Sequence, residues 1–93
     1  KNNNECFISQ RKFFFSNGDK YEGEFLNGQK HGRGTLTYAE GDEYQGEFLN
    51  GQKHGDGKLL FFNGDEYEGE FSHDQMCGKG KMRYINGDTY EGE

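Results

Sequence analysis

The sequence predicts an all-β fold: an elongated, single-layer antiparallel β-meander of repeated hairpins, with about seven to eight short strands. Three observations predict it. The first is a repeat. Gly18 to Gly34 reads Gly-Asp-Lys-Tyr-Glu-Gly-Glu-Phe-Leu-Asn-Gly-Gln-Lys-His-Gly-Arg-Gly, and Gly41 to Gly57 returns nearly the same string 23 residues later. Gly64 opens a third copy and Gly87 a fourth. A fixed period of about 20–50 residues marks a solenoid or array, in which each unit covers its apolar side only against its neighbours. The second observation is the strict alternation of Tyr, Gly and Phe with polar residues, the period of two of a β-strand. The third is the dipeptide Asn-Gly at positions 17, 27, 50, 63 and 86, a strong hairpin signal, with no helix-period pattern competing.

The elements follow in order. Residues 1–11 break the pattern, and Lys-Asn-Asn-Asn-Glu reads as a polar N-terminal extension, poorly ordered or irregular. Residues 12–93 read as the array: a partial repeat over 12–17, full repeats over 18–40, 41–63 and 64–86, and a partial repeat over 87–93. Such a chain reads as a fragment of a longer array. Each repeat carries two strand-like runs. The first is Lys20 to Leu26, with counterparts Glu43 to Leu49 and Glu66 to Ser72. The second is Thr35 to Tyr38, with counterparts Lys58 to Phe62 and Lys81 to Ile85.

Register can be argued from side-chain pairs. One loop residue beyond the two of Asn63-Gly64 places Tyr67 opposite Phe61, Gly69 opposite Leu59 and Lys58 opposite Glu70. The same shift pairs Phe15 with Tyr21, Tyr38 with Tyr44 and Tyr84 with Tyr90. It also sets Lys12 against Glu24, Lys81 against Glu93 and Arg83 against Glu91. Aromatic and opposite-charge pairs each add about 0.2–1 kcal/mol across strands. One face then carries Tyr, Gly, Phe and Leu, and the other carries Glu, Lys and Thr. Gly23, Gly46 and Gly69 are expected to leave room for a neighbouring ring over bare backbone.

Composition excludes some functions. Net charge is −6, which disfavours nucleic acid and a polybasic grip on anionic lipid. No apolar run approaches the ~20 residues of a membrane-spanning helix. Only 29% of residues are apolar, but 16% are aromatic and they recur in phase, unlike a disordered chain. The two cysteines, Cys6 and Cys77, have no partners at metal-ligand spacing and read as reduced thiols.

The Tyr-x-Gly-x-Phe run, the Gly after it and the His-Gly-x-Gly segment, in a 23-residue unit, resemble the MORN repeat. The resemblance covers Gly18 to Glu93 and extends to Lys12. It implies the same single-layer hairpin sheet with a curved aromatic groove. It also implies a non-catalytic module of scaffolds, of membrane-junction proteins, or of larger enzymes such as phosphatidylinositol phosphate kinases and SET methyltransferases. One departure is visible. His31 and His54 precede the Gly-x-Gly pair, but Cys77 takes that place in the third copy, after a loop, Ser72 to Met76, that has lost the consensus. That loop is expected to bend differently or to form an interaction point.

Four groups of residues are candidates for chemistry. His31, His54 and Cys77 recur one repeat apart, hence about 9–10 Å at two strand spacings, too far for one zinc ion. His73 and Cys77 remain as candidates for a metal shared between chains; no metal or other cofactor is expected within one chain. The glutamates Glu22, Glu24, Glu47, Glu68, Glu70, Glu91 and Glu93 recur in every unit and read as a solvated face, where a catalytic pair would occur once, in a pocket. Gly32-Arg33-Gly34 and its copies lack the spacing and following helix of a phosphate loop and read as turns. The aromatic face is the binding candidate: Tyr21, Phe25, Tyr38, Tyr44, Phe48, Phe61, Tyr67, Phe71 and Tyr84. It is either the fold's own core or a groove that a single layer leaves open.

The expected function is a non-catalytic interaction or scaffolding module that presents this groove and self-associates or binds a protein partner. Its expected location is the cytoplasm, at the cytoskeleton or the cytoplasmic face of a membrane. The alternative is a regulatory or phospholipid-binding module of a larger enzyme, disfavoured for lipid by the acidic charge.

Overall fold

Eight strands run in sequence order from one edge of a single antiparallel sheet to the other in the computed structural model, which describes residues 8–92. They are β1 (Ile8–Phe14), β2 (Lys20–Leu26), β3 (Gln29–Thr37), β4 (Glu43–Leu49), β5 (Gln52–Leu60), β6 (Glu66–Ser72), β7 (Gln75–Arg83) and β8 (Thr89–Gly92). The sheet measures 55 × 28 × 16 Å, the proportions of one elongated layer. Residues 8–11, expected to be irregular, form the first half of β1 and pair with Gly23 to Leu26. The rest of that expected extension lies outside the described residues.

Two kinds of hairpin alternate, although the same dipeptide marks both. Between β2 and β3, Asn27 (φ 54°) and Gly28 (φ 80°) are both left-handed, and so are Asn50 (φ 52°) and Gly51 (φ 84°) between β4 and β5. These are two-residue turns whose twist matches the strands. His73 (φ 52°) and Asp74 (φ 68°) hold the same conformation in the third unit. The altered third loop therefore keeps the turn of the other two, contrary to the expectation of a different bend. Asp tolerates this region through local hydrogen bonding.

The other hairpins use longer loops. Gly64 N–H donates to Phe61 O (2.9 Å) and Phe61 N–H donates to Asp65 O (2.9 Å), so the loop is Phe62-Asn63-Gly64. The sequence reading placed it at Asn63-Gly64-Asp65, one residue later. Asp65 is needed outside the loop: its carboxylate accepts from Ile85 N–H at 2.8 Å. Moving the loop by one residue moves the pairing by two. Tyr67 therefore faces Leu59 rather than Phe61, and Lys58 faces Glu68 rather than Glu70. Likewise Tyr21 faces Phe13, Tyr44 faces Leu36 and Tyr90 faces Met82, in place of Phe15, Tyr38 and Tyr84. Lys12 pairs with Glu22, Lys81 with Glu91 and Arg83 with Thr89, in place of Glu24, Glu93 and Glu91.

The strands β3, β5 and β7 also begin earlier than the sequence indicates and include the Gly-x-Gly segments read as turns. A bulge makes this possible. Between Gly23↔Gly34 and Phe25↔Lys30 the register shifts, and Gly32 within the bulge is left-handed at φ 65°. Glu24 fills the bulge: its Oε1 accepts from Arg33 N–H (3.0 Å) and lies against Gly32, where a side chain would collide. Glu70 does the same for Lys79 N–H (3.1 Å) beside Gly78.

The hairpins are tied together along one edge of the sheet. Asp19, Asp42 and Asp65 accept from the backbone N–H of Ala39 (2.8 Å), Phe62 (2.9 Å) and Ile85 (2.8 Å), each one repeat further on. The Gly-Asp that opens each unit thus carries the period from turn to turn.

Candidate functional site

The aromatic face is built on glycine. Gly23, Gly34, Gly46, Gly57, Gly69, Gly80 and Gly92 stand opposite one another in an unbroken row across β2 to β8. Each tyrosine lays its ring on the glycine of the following strand: Tyr21 on Gly34, Tyr44 on Gly57 and Tyr67 on Gly80. Any Cβ on those glycines would occupy the ring's position. The sequence reading placed the ring room at Gly23, Gly46 and Gly69. Those residues meet the hydroxyl tip and the backbone of the facing strand, the glycine Cα and the carbonyl oxygen of Arg33, Asp56 or Lys79 before it. Each hydroxyl bends back to a backbone carbonyl: Tyr21 to Glu24 O (2.7 Å), Tyr44 to Glu47 O (2.8 Å) and Tyr67 to Glu70 O (3.2 Å).

Phenylalanines wedge between the tyrosines edge-on. Phe48 lies 5.2 Å from Tyr21 and 5.0 Å from Tyr44, and Phe71 lies 5.0 Å from Tyr44 and 5.3 Å from Tyr67, ring centre to ring centre. Such T-shaped pairs add about 0.5–1.5 kcal/mol beyond the area they bury. A single layer thereby buries Tyr21 and Tyr44 completely. Burial, first, and the nearby Glu24 charge push the Tyr21 hydroxyl up to about 12. Burial likewise pushes Tyr44 up to about 12 and raises Tyr67.

The nine residues singled out in the sequence divide by position. Tyr21, Tyr44, Phe48, Tyr67 and Phe71 are buried and form the core of the sheet. Phe25, Tyr38 and Phe61 are partly buried against them. Tyr84 is exposed at the far end. The middle of the face is therefore closed by its own rings, and among the described residues the clefts lie toward β1 and β8. Phe13, 48% exposed, marks the β1 end, and Tyr90, 60% exposed, marks the β8 end.

At the β1 end a cleft of about 700 Å³ is lined by Arg11, Phe13, Phe15, Phe25, Lys30 and backbone of the neighbouring turns. At the β8 end a smaller one of about 290 Å³ is lined by Tyr67, Met76, Met82, Tyr84 and Tyr90. Of these, Phe25, Tyr67 and Tyr84 were expected from the sequence, whereas Arg11, Phe13, Phe15, Lys30, Met76, Met82 and Tyr90 were not. Arg11 had been assigned to the irregular extension. Lys30 carried one signal, its return as Lys53 in the same Gln-Lys-His string.

Of the remaining candidates, Cys77 also lines the β8-end cleft. His73 sits in its turn with Nδ1 3.0 Å from Ser72 Oγ, and Cys77 is exposed on β7 opposite Glu70. Among the described residues, no three His, Cys, Asp or Glu side chains gather as metal ligands. On the reverse face, Glu47 meets Arg33 (3.3 Å), Glu91 meets Lys81 (3.7 Å), and Glu66 meets both Arg83 (3.6 Å) and Lys58 (4.0 Å). Exposed pairs of this kind contribute about 0–1 kcal/mol each. Within that face a shallow groove of about 630 Å³ runs over the central glycines.

A family model described as MORN repeat matches three consecutive segments, residues 21–43, 44–66 and 67–89. Their period is that of the sequence reading, with each unit begun three residues later, at the tyrosine. A comparison with curated proteins finds no match.

Proposed function

The chain belongs to the MORN-repeat family, and we propose that it is a non-catalytic interaction module that engages protein partners through its aromatic face. MORN repeats form modules that commonly serve protein or membrane interaction. The observation that carries the protein reading is the continuous aromatic face itself, on which Phe13, Tyr84 and Tyr90 are exposed among the described residues. Exposed aromatic side chains at a concave site are the anchors that protein interfaces use most. The net charge of −6 disfavours an anionic membrane surface as the primary partner.

The scaffolding role, self-association and a place at the cytoskeleton or the cytoplasmic side of a membrane belong to the same proposal. Both outer strands, β1 and β8, pair on one side only among the described residues, and free strand edges invite further pairing. The test is capture of protein partners by the array and by a Phe13→Ser, Tyr90→Ser double variant with unchanged circular dichroism. Loss of capture in the variant is expected. Equal capture by both overturns the reading. Sedimentation over a range of concentrations decides self-association, and a strict monomer throughout removes that part.

A further inference from the structure

The two equivalent lysines, Lys30 and Lys53, sit in nearly the same aromatic seat but differ in what answers their charge. Lys53 Nζ lies over the rings of Tyr38 (5.3 Å) and Tyr44 (5.7 Å). It donates to the Tyr38 hydroxyl at 2.7 Å and meets Asp74 Oδ1 at 3.5 Å. The same Asp74 oxygen accepts the backbone N–H of Lys53 at 2.8 Å. One carboxylate, reaching in from the next turn, is thus held by both the main chain and the side chain of a lysine poised over two rings.

Among the described residues, Lys30 repeats the seat without a carboxylate. Its Nζ lies over Phe15 (5.3 Å) and Tyr21 (5.9 Å). Phe15 has no hydroxyl to accept, and Gly51 stands where Asp74 stands one repeat later. The equivalence is structural as well as sequential: Gly51 N–H donates to Lys30 O (3.0 Å) as Asp74 N–H donates to Lys53 O (3.2 Å). On the side where a Gly51 side chain would project, no atom lies within 4 Å. Gly51 and Lys30 both line the β1-end cleft. Across it stands Arg11, exposed, with Nε 3.5 Å from Ser9 Oγ. Among the described residues, none that lines this cleft is acidic, although the chain carries 17 acidic residues.

We propose that the β1-end cleft is a docking site for an acidic peptide segment of a partner protein. A carboxylate takes the place at Lys30 that Asp74 takes at Lys53, and a neighbouring apolar side chain rests on Phe13, Phe15 and Phe25. Charge complementarity selects the carboxylate, and Arg11 adds a second cation for it. A peptide is favoured over a bilayer because a short segment meets only the local cations, whereas an anionic surface also meets the acidic remainder of the array. This rests on the reading of the array as an interaction module and names the chemistry of one partner.

The probe is the peptide acetyl-Leu-Asp-Phe-Asp-Leu-amide, added to the chain while backbone amide resonances are followed by NMR. Saturable shifts are expected at Ser9, Phe13, Lys30 and Gly51, weakened by salt. The Asn counterpart of the peptide should bind about tenfold more weakly, the factor a charge-assisted contact carries. Lys30→Met should weaken binding similarly, and Met76 occupies the equivalent position in the third repeat, so the fold accepts it. Gly51→Asp is the sharper test: Asp74 already adopts that conformation, and the new carboxylate should close the site to the peptide.

Equal binding of the two peptides, unchanged binding to Gly51→Asp, or shifts confined to the β8 end would each overturn the proposal. So would shifts at these amides with phosphatidylserine vesicles and none with the peptide. The broader reading is tested separately. Partner capture that persists in Lys30→Met and Gly51→Asp but fails in the Phe13→Ser, Tyr90→Ser variant removes this site and keeps the interaction module.

Discussion

Replacing Gly57 with alanine tests how a single layer manages to bury a tyrosine. The added Cβ would meet Tyr44 Cζ at 2.6 Å and would overlap its hydroxyl and Cε1 more closely still. Gly57 is not among the left-handed glycines, so alanine suits its backbone and the conflict is wholly with the ring. The ring must leave. It then loses burial worth about 1.5–3 kcal/mol, a hydrogen bond worth about 1 kcal/mol, and part of two edge-on contacts worth about 0.5–1.5 kcal/mol each. Alanine returns about 0.4–1 kcal/mol by restricting the unfolded chain. The net expectation is a loss of about 2–4 kcal/mol, and for a chain of this size each kcal/mol lowers Tm by about 4–8 °C. Thermal and urea unfolding followed by circular dichroism measure it. The decisive control is the Tyr44→Ala background, where no ring remains to be displaced and Gly57→Ala should cost almost nothing. A full additional loss in that background, or a Gly57→Ala loss below about 0.5 kcal/mol, the range of ordinary surface changes, would refute the ring-on-glycine account.

Other expectations follow from single contacts. Tyr21 and Tyr44 have hydroxyls held up to about 12 by burial, against 10.0 unperturbed; the unfolded chain releases these protons first, so stability is complete below pH 10 and falls as pH rises toward 12. The tyrosinate signals of Tyr21 and Tyr44 themselves, followed by ring-carbon NMR, should therefore appear with unfolding, and an onset well below pH 10 for these two rings in the folded array contradicts it. Asp42→Ala removes the acceptor of Phe62 N–H, costs about 1 kcal/mol, and should speed hydrogen exchange at Phe62 while leaving Ala39 and Ile85 protected. Asp74→Ala should cost about 1–3 kcal/mol, since it strips Lys53 of its carboxylate and puts alanine at φ 68°; Asp74→Asn, which keeps an acceptor and tolerates the conformation, should lose less in the same unfolding assay.

The sequence assigns the faces of this sheet correctly while misjudging which residues sit opposite one another, and the pleat explains why. Side chains alternate with period two, so a register error of one residue exchanges the faces and an error of two leaves them intact. The loop at Phe62-Asn63-Gly64 differs from the expected Asn63-Gly64-Asp65 by one residue, which displaces the partner strand by two. Tyr67 loses Phe61 as its partner and gains Leu59, and both lie on the same side. The dipeptide Asn-Gly could not resolve this, because it serves one hairpin with both residues left-handed and another with only the glycine so. What separates the two uses is the Asp after Gly18, Gly41, Gly64 and Gly87, whose carboxylate, at the first three, binds the next turn. That is a contact one repeat away, invisible to any local turn rule. The cleft beside Lys30 was hidden for a related reason. A periodic sequence treats Lys30 and Lys53 as copies, and Gly51 and Asp74 as a consensus residue and a lapse from it. Only the spatial arrangement shows that the lapse completes one lysine's seat, and that the consensus glycine brings no carboxylate to the other's.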